Sequence, residues 1–438
     1  MAINGKYNED TRVKIPAILH LTRLGYEYVS VSGAMKRGVI EGDTNIFTDI
    51  FSESIIRINK DVEDLEPNAL IAELKNLLDY EDLGKAFYER ITTESGIKII
   101  DFKNFGNNSF HVCTELTCKN GDDEFRPDIT ILINGLPLAF IEVKKPNNKG
   151  GIVAESDRMN NRRMPNKKYR RFLNATQVMV FSNNMEYDTN GGITPIQGAF
   201  YASVSSGKVA LNSFREEDKS IFARVNPIDN SVEDFILRDI NYLQIKPQEE
   251  YQLNKDITKP TNRIITSLFS RKRIKTLLKY GIAYVKADGG GYEKHIMRYP
   301  QFFATLEIEK YIESGKKRGI IWHTQGSGKT ALAYFNVPYL THYFRAKKIV
   351  PKFYFVVDRL DLLTQAQDEF TNRGLQVNIV NSRDEFKTAL KAQGAKAKSD
   401  GKNEITVVNI QKFSDESKVV EKGDYDLTVQ RVYFLDEV

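Results

Sequence analysis

Residues 126–144 read RPDITILINGLPLAFIEVK, which is two apolar runs separated by an Asn-Gly pair. Asn-Gly between two such runs is a strong signal for an antiparallel β-hairpin. The first predicted strand is Ile129 to Ile133, and the second is Leu138 to Val143. Successive side chains of a strand point to opposite faces, so Glu142 and Lys144 share one face.

The register of this hairpin decides whether Asp128 lies on the same face. A strict two-residue Asn134-Gly135 loop pairs Asp128 with Ile141 and leaves Glu142 on the opposite face. A three-residue loop that includes Leu136 places Asp128 directly opposite Glu142, and a β-bulge has the same effect. Because the chemistry considered next needs both carboxylates on one face, we predict such a loop or an equivalent bulge.

These three side chains fit the chemistry of phosphodiester hydrolysis. Two adjacent carboxylates repel each other unless a cation lies between them, and their hard oxygen atoms suit Mg²⁺. The metal ion would polarise a scissile phosphate and lower the pKa of an attacking water. Lys144 would hold or deprotonate that water, or stabilise charge on the phosphate. We therefore predict Asp128, Glu142 and Lys144 as catalytic residues, with the two carboxylates as metal ligands; the alternative is a surface salt bridge.

A second motif lies in residues 319–335, GIIWHTQGSGKTALAYF. A strand-like run from Gly319 to Trp322, a Gly-rich loop and a helical run together are typical of a nucleotide-binding P-loop. The loop N–H groups and the helix N-terminus would hold the phosphates of ATP. The predicted nucleotide-binding residues are Gly326, Ser327, Gly328, Lys329, which would reach the β- and γ-phosphates, and Thr330, which would ligate Mg²⁺.

The last residues of the chain supply a partner for this loop. Val432 to Glu437 is an apolar run that ends in two carboxylates, a Walker B pattern. Asp436 would hold Mg²⁺, and Glu437 would activate the hydrolytic water. Upstream, Arg298-Tyr299-Pro300-Gln301 resembles the Q-motif of helicases, in which Gln301 would bind the adenine edge.

Two further segments resemble helicase motifs that contact the DNA backbone. Phe353 to Asp358 is a predicted strand followed by a predicted helix, similar to motif Ia. Ile405 to Ile410 is another predicted strand, followed by Gln411-Lys412-Phe413, in which the lysine would bind a phosphate. The alternative for each is an ordinary buried strand with a polar end.

Composition sets the broad class of the chain. Its 438 residues, 41% hydrophobic and 28% charged, predict a soluble globular protein of about two or three domains. The apolar runs are too short to span a membrane, and the N-terminal sequence has no secretory signal. Cys113 and Cys118 form neither a zinc pattern nor a disulfide framework, so we predict reduced cysteines and a cytoplasmic location.

The net charge of +5 is unevenly distributed. Between Val143 and Arg171 ten Lys and Arg residues face only Glu155 and Asp157. Such an excess predicts a surface that binds nucleic-acid phosphates. A merely solvated basic face is the alternative.

Secondary-structure patterns predict an α/β chain in two domains. A helix is expected over Asn68 to Tyr80, and strands over Ile97 to Ile100 and Gln177 to Phe181. Residues 183–260 show no clear periodicity and are interpreted as the end of a first domain with a connection. The predicted domains are therefore 1–260 and 261–438.

The motifs together resemble one family, the R subunit (HsdR) of type I restriction-modification enzymes. The residues that carry the resemblance are IIDF at 99–102, FRPD at 125–128, NGLPL at 134–138, IEVKKP at 141–146, RYPQ at 298–301 and WHTQGSGKT at 322–330. The resemblance implies a PD-(D/E)xK restriction-endonuclease-like domain followed by a RecA-like P-loop domain of helicase superfamily 2. It also implies ATP and Mg²⁺ as cofactors, and double-stranded DNA with methylation and specificity subunits as partners. In that family the subunit translocates unmethylated DNA with ATP and cuts it far from the recognition site.

The chain departs from the family pattern in three places. His323 stands where a general P-loop begins with Gly, a position at which superfamily 2 motors vary. The Gln-x-x-x-Tyr element that many R subunits carry is absent near residues 155–162, where Arg158 or Arg162 could substitute. The sequence also stops at Val438, after the Walker B pattern, so the second RecA-like domain is not expected in this chain and coupled translocation is not expected from it.

Three other functions remain open from the sequence. One is a catalytically silent assembly and DNA-binding module. Another is a remodelling helicase with a degenerate nuclease domain. A type III-like restriction subunit is disfavoured, because there the nuclease usually follows the motor.

Overall fold

A computed structural model describes residues 8–120, 123–146, 148, 150–187, 196–324, 326–380, 382, 385–386, 389–390, 403–409 and 429–436. The chain is a mixed α/β protein, as predicted, and it divides into two compact units. The first unit comprises Met1–Ile282 with Glu293–Ile296, and the second comprises Ala283–Tyr292 with Met297–Val438.

The first unit contains most of the helices and strands. Its elements, with the two strands at the junction of the units, are α1 Ile15–Arg23, β1 Glu27–Tyr28, α2 Val31–Arg37, α3 Thr48–Ile58, α4 Pro67–Leu78, α5 Lys85–Thr92, β2 Phe110–Thr114, β3 Cys118–Asn120, β4 Asp123–Phe125, β5 Ile129–Ile133, β6 Leu136–Val143, α6 Gly151–Arg158, α7 Arg170–Ala175, β7 Val178–Ser182, β8 Ala199–Ser205, β9 Lys208–Ser213, α8 Asn230–Asp239, α9 Glu249–Asn254, α10 Pro260–Phe269, α11 Arg271–Tyr280, β10 Ile282–Lys286 and β11 Tyr292–Ile296.

A mixed sheet forms the core of this unit, in the order β1-β2-β5-β6-β7-β8-β11. The β2/β5, β5/β6, β7/β8 and β8/β9 pairs are antiparallel, whereas the β1/β2 and β6/β7 pairs are parallel. Strands β5 and β6 are buried along their whole length, as central strands covered on both faces should be.

The predicted hairpin has the register that the two carboxylates require. Asn134 and Gly135 both have positive φ, 50° and 75°, in a two-residue turn in which Ile133 pairs with Leu136. The register then shifts between Ile131 and Leu132, so that Ile129 pairs with Ile141. This shift confirms the predicted bulge and brings Asp128 opposite Glu142. Pro137 lies at the irregularity, where a residue without an N–H costs no ladder hydrogen bond.

The first unit extends beyond the predicted boundary at Pro260. Helix α10 buries Ile264, Ile265 and Leu268, and the ring of His20 on α1 is hydrogen-bonded to the Thr266 hydroxyl, 2.6 Å away. These contacts attach the helix to the first unit, whose long segment ends at Ile282. His20 on α1 and Thr266 on α10 are 246 residues apart in sequence, so local patterns could not link the two helices.

The second unit contains a four-stranded parallel sheet in the order β13-β14-β12-β15. Its elements are α12 Tyr299–Glu313, α13 Lys329–Ala346, β12 Val350–Val357, α14 Leu360–Asn372, β13 Gln376–Val380, β14 Glu404–Asn409 and β15 Val429–Asp436. Strand β12 and helix α14 confirm the strand-and-helix interpretation of the segment from Phe353 onward.

Several local predictions were wrong. Residues 97–100 and 319–322 form no strand, although Ile99 and Ile100 are buried. The stretch 183–260, interpreted as irregular, contains β8, β9, α8 and α9. Other expectations hold: α4 includes most of the helix predicted at 68–80, β7 includes most of the strand predicted at 177–181, and both cysteines are buried as free thiols. Among the described residues, no helix combines the length and apolar character needed to cross a membrane.

Candidate functional site

The open end of the β5–β6 hairpin brings together Asp128, Glu142 and Lys144. The backbone N–H of Val143 donates to Asp128 Oδ2 at 2.8 Å, which fixes this carboxylate beside the end of β6. Lys144 Nζ lies 3.9 Å from Asp128 Oδ2 and 3.8 Å from Glu142 Oε2. The lysine ammonium group therefore lies between the two carboxylates, on the face that the bulge gives them.

Two residues that the sequence analysis did not select complete this cluster. Glu155 on α6 is only 1% exposed, and its Oε2 lies 3.4 Å from Lys144 Nζ. Arg163, in the π-helical turn that follows α6, donates from Nη1 to Glu142 Oε1 at 2.8 Å and to Glu155 Oε1 at 2.6 Å. Arg158 also donates to Glu155, at 2.8 Å. Of the two substitutes suggested for the missing Gln-x-x-x-Tyr element, Arg158 thus reaches the cluster and Arg162 is exposed.

Burial makes the charges of this cluster interdependent. Glu142 is 3% exposed, and desolvation, followed by the negative charges of Asp128 and Glu155, raises its pKa well above the usual range. Desolvation lowers the pKa of Lys144, but the surrounding carboxylates outweigh it, so the net pKa is raised. Glu9 lies 4.0 Å from Lys144 Nζ, and burial raises its pKa. The lysine ammonium therefore keeps its proton at neutral pH.

The carboxylate oxygens of Asp128 and Glu142 are of the type that Mg²⁺ prefers, but in this structure they contact protein cations, Lys144 and Arg163. Mg²⁺ is commonly bound through one or two carboxylates, with water and substrate phosphate as its other ligands. Asp128 and Glu142 offer such a pair, while Glu142 is bonded to Arg163. In the described ranges, no group of three or more His, Cys, Asp or Glu side chains is arranged to hold a metal ion.

The basic segment that follows the hairpin is largely neutralised by ion pairs within the first unit. Its cations contact carboxylates in several elements, in the pairs Arg163–Glu142, Arg158–Glu155, Lys167–Glu81, Lys168–Asp123, Arg170–Glu81 and Arg171–Asp79. Much of the predicted phosphate-binding excess therefore holds helices and strands together. The signal that sequence reasoning lacked was the position of the acidic residues near 79–81.

In the second unit the Gly-rich loop leads into α13, which begins at Lys329. Gly326 and Gly328 have φ of 73° and 82°, which favour glycine at both positions. Ser327 is buried, and its Oγ has no hydrogen-bond partner in the part of the chain that the structure describes. Thr330 is the second residue of the helix. The described loop residues therefore lead into a helix, as predicted, although residues 319–322 do not form the predicted strand; phosphate binding here stays a prediction.

Gln301 contacts the loop backbone. Its Nε2 donates to the Gly328 carbonyl at 2.9 Å, and its Oε1 accepts from the Arg298 N–H at 2.9 Å. Arg298 Nη1 donates to the Gly326 carbonyl at 3.1 Å. The Q-motif thus supports the loop in this arrangement, and its contact with an adenine stays a prediction.

Asp436 ends β15 and faces the loop lysine. Lys329 Nζ lies 3.7 Å from Asp436 Oδ1, so the two motifs meet at one end of the parallel sheet. Val357 pairs with Asp436, which places Asp358 at the same sheet edge, a carboxylate that the sequence analysis did not select. Glu437, Gln325 and the predicted contact at Gln411-Lys412-Phe413 lie outside the described residues.

Comparisons with known proteins identify the class of each part. Residues 6–190 match the family described as "Type I restriction enzyme R protein N terminus". Residues 294–438 match "Type III restriction enzyme, res subunit", which indicates a helicase-like RecA fold in the second unit. The chain thus combines a restriction-type N-terminal region with a helicase-like region.

The relatives are endonuclease subunits of type I restriction enzymes. A protein of Methanocaldococcus jannaschii named as a candidate subunit of this kind, MjaVIIIP, is 25% identical over 92% of this chain and 34% of its own length. A second from that organism, MjaVIIP, is 26% identical over 82% of this chain and 28% of its own. The SauCOLORF180P subunit of Staphylococcus aureus strain COL is 24% identical over 83% and 33%. Most of the chain is therefore similar to R-type proteins of type I restriction enzymes, and it spans about a third of the length of these relatives.

Proposed function

We propose that this chain belongs to the DNA-cleaving and ATP-dependent DNA-translocating subunit of a type I restriction-modification system. The first unit would be a PD-(D/E)xK nuclease acting at Asp128, Glu142 and Lys144. The second would bind ATP at its P-loop. The proposed partners are double-stranded DNA and the methylation and specificity subunits, in the cytoplasm.

The observation that carries the nuclease proposal is the hairpin register. Without the irregularity between Ile131 and Leu132, Asp128 would lie opposite Ile141 and could not share a face with Glu142. With the irregularity, the carboxylates of Asp128 and Glu142 both lie within 4 Å of Lys144 Nζ. A buried charge cluster of this kind is costly to build, which is typical of functional sites.

In the proposed reaction each side chain has its own role. Asp128 and Glu142 would hold Mg²⁺, which when bound supplies a polarised phosphate and a more acidic water. Lys144 would hold or deprotonate that water, or stabilise negative charge on the phosphate. Arg163 would release Glu142 when the metal ion binds, while Glu155 keeps the arginine in place.

In the second unit, the loop from Gly326 to Gly328 and Lys329 would bind the phosphates of ATP. Thr330 and Asp436 would hold its magnesium ion, and Glu437 would activate the hydrolytic water. Gln301 would bind the adenine, and its hydrogen bond to the Gly328 carbonyl would connect the adenine to the phosphate-binding loop.

A second candidate is a catalytically silent assembly and DNA-binding module. The observation that favours it is the pair of hydrogen bonds from Arg163 to Glu142 and Glu155, which occupy the carboxylate that the metal ion requires. In that case the cluster would be a structural ion-pair network.

Nicking of supercoiled plasmid with magnesium and without ATP separates the two. We expect the chain to nick the plasmid, Lys144→Ala to lose at least about 100-fold of the rate, and the exposed neighbour Lys145→Ala to keep it. Equal nicking by Lys144→Ala would contradict the assigned site. A chain that binds DNA but does not nick it with magnesium would support the silent module.

A further inference from the structure

A cleft of about 780 Å³ lies in the first unit at the end of the sheet away from Asp128. It is lined by helices α3 and α11 and by the start of β2 at Phe110. Phe110 pairs with Ile133 beside the hairpin turn, whereas Thr114 pairs with Ile129 near the carboxylates. The four residue steps between Phe110 and Thr114 correspond to roughly 14 Å along the strand, so the cleft and the hairpin site are separate.

Positive charge dominates the lining of this cleft. Arg57 from α3 and Arg271, Lys272 and Lys275 from α11 line it, with only Glu27 and Glu53 as carboxylates. Within the described parts of the chain, none of these four cations forms an ion pair with a carboxylate. The basic segment after the hairpin behaves differently, because most of its cations are paired.

Two of the cations are held in position by neutral groups. Arg57 Nε donates to the Asn107 carbonyl at 2.9 Å, and its Nη2 contacts the Ser109 hydroxyl. The Arg271 guanidinium lies 3.3 Å from the centre of the Phe110 ring and donates to the Gly25 carbonyl. These contacts orient the guanidinium groups without pairing them with a carboxylate.

The guanidinium group of Arg271 is partly shielded from solvent. Its Nη1 is buried without a hydrogen-bond partner in the described residues, and burial lowers the pKa of the group. The charge of Glu27 opposes this shift, but among the described residues no carboxylate is paired with the guanidinium, and a partly desolvated cation without a paired counter-ion is unfavourable. An anion in the cleft would offset that cost.

The backbone contributes in the same direction. Arg271 is the first residue of the ten-residue helix α11, so Lys272 and the first N–H groups of the helix point toward this end. The N-cap residue Ser270 makes no side-chain cap hydrogen bond, and its Oγ has no partner among the described residues. A helix start with unused donors favours a bound anion.

We propose that this cleft binds a phosphate group. Arg57, Lys272 and Lys275 would contact its oxygen atoms, and Arg271 would supply fixed positive charge from the wall. The phosphate could come from a DNA backbone or from a small phosphorylated molecule, since both present the same oxyanion. The site is distinct from the hairpin cluster and from the P-loop, and neither is needed for it.

The test uses the full chain without magnesium, carrying Lys329→Ala so that the P-loop does not add phosphate binding. Lys272→Ala/Lys275→Ala is compared with Lys208→Ala/Lys219→Ala, which removes the same charge from exposed lysines that do not line the cleft. One arm measures duplex-DNA affinity against salt concentration, and the other titrates thymidine 5′-monophosphate.

For a DNA backbone, the cleft variant should reduce the log–log salt slope by about 0.9, the value for one lost phosphate contact, and the control should not. For a small ligand, the cleft variant should weaken nucleotide binding by at least about 10-fold with an unchanged DNA slope, a loss of about 1.4 kcal/mol. If the cleft variant matches the control in both arms, the proposal is overturned.

Discussion

The β5–β6 hairpin of the first unit and the P-loop of the second each follow a clear sequence motif, yet their surroundings differ. At the hairpin, Glu142 is almost fully buried and bonded to Arg163. At the P-loop, the residues that lead into the motif are open: Ile320 is 93% exposed and Trp322 is 91% exposed. The Lys329 side chain is 38% exposed, against 15% for Lys144.

The difference shows which parts of the chain position each motif. The hairpin is closed by partners within about twenty residues, since β5, β6, α6 and the turn after it contact one another directly. The P-loop is positioned by a helix start and by Gln301, while the apolar run before it has no strand partner in the described residues. The hairpin motif is positioned by elements close to it in sequence. The P-loop motif depends on strands that are distant in sequence.

The largest expected effect tests how firmly the hairpin cluster is held. Arg163→Met should lower the free energy of unfolding of the first unit by about 3–5 kcal/mol, because it removes the one cation that is hydrogen-bonded to both buried carboxylates in the described residues, Glu142 and Glu155. Urea denaturation measures it. Arg162→Met, at an exposed neighbouring position, is the control and should change little. A small loss for Arg163→Met would show that the cluster is no more tightly held than the P-loop.

At the P-loop, Lys329→Ala should weaken ATP binding by about 100-fold, close to 2.7 kcal/mol, because the ammonium group that meets the phosphates is lost. Equilibrium titration with a fluorescent ATP analogue measures the affinity. Lys310→Ala, on an exposed position of α12, should bind as the unchanged chain does. Unaltered affinity in Lys329→Ala would mean that the open loop is not the nucleotide site.

The hairpin turn offers a comparison of packing with backbone strain. Gly135→Ala places a Cβ 2.5 Å from the Phe47 carbonyl oxygen at a φ of 75°. Gly207→Ala in the β8–β9 turn has a φ of 71° with open space around it. We expect a loss of about 1 kcal/mol for Gly207→Ala and roughly 2–4 kcal/mol for Gly135→Ala, measured by thermal unfolding. Equal losses would show that the turn is not packed against α3.

Sequence patterns were sufficient where the partners are close in the chain. The need for Asp128 and Glu142 to share a face predicted the bulge, and Pro137 marks its position. The strand predicted at Gly319 to Trp322 was wrong, because apolar character alone does not supply a neighbouring strand. The roles of Glu155 and Arg163 were missed, since a charged residue in a basic segment is usually solvated.

The domain boundary could not be predicted from local patterns for the same reason, because the contacts that define it join residues far apart in the chain. Helix α10 has an amphipathic pattern, but the sequence does not say that its apolar face packs on α1. The acidic partners near 79–81 are equally distant from the basic segment they neutralise. The count of basic residues between Val143 and Arg171 therefore overestimated how many of them are available to bind phosphate groups.

The smallest expected effect extends the comparison to a buried charge elsewhere in the sheet of the first unit. Lys294 on β11 is 3% exposed, donates to the Thr176 carbonyl at 2.8 Å, and has its pKa lowered by burial from 10.5 to about 7, against the opposing charge of Asp82. Between these two pKa values the unfolded chain binds more protons than the folded one. The free energy of unfolding should therefore rise with pH across this window, by up to about 1.4 kcal/mol per pH unit.

Urea denaturation over a pH series measures this slope in the unchanged chain, in Lys294→Met and in the exposed control Lys208→Met. Lys294→Met should remove the rise, because no proton is then released on folding at this position, while Lys208→Met should keep it. If both variants keep the slope, Lys294 is charged in the folded state at neutral pH. The enclosure seen at Glu142 would then be a property of the hairpin and not of the sheet as a whole.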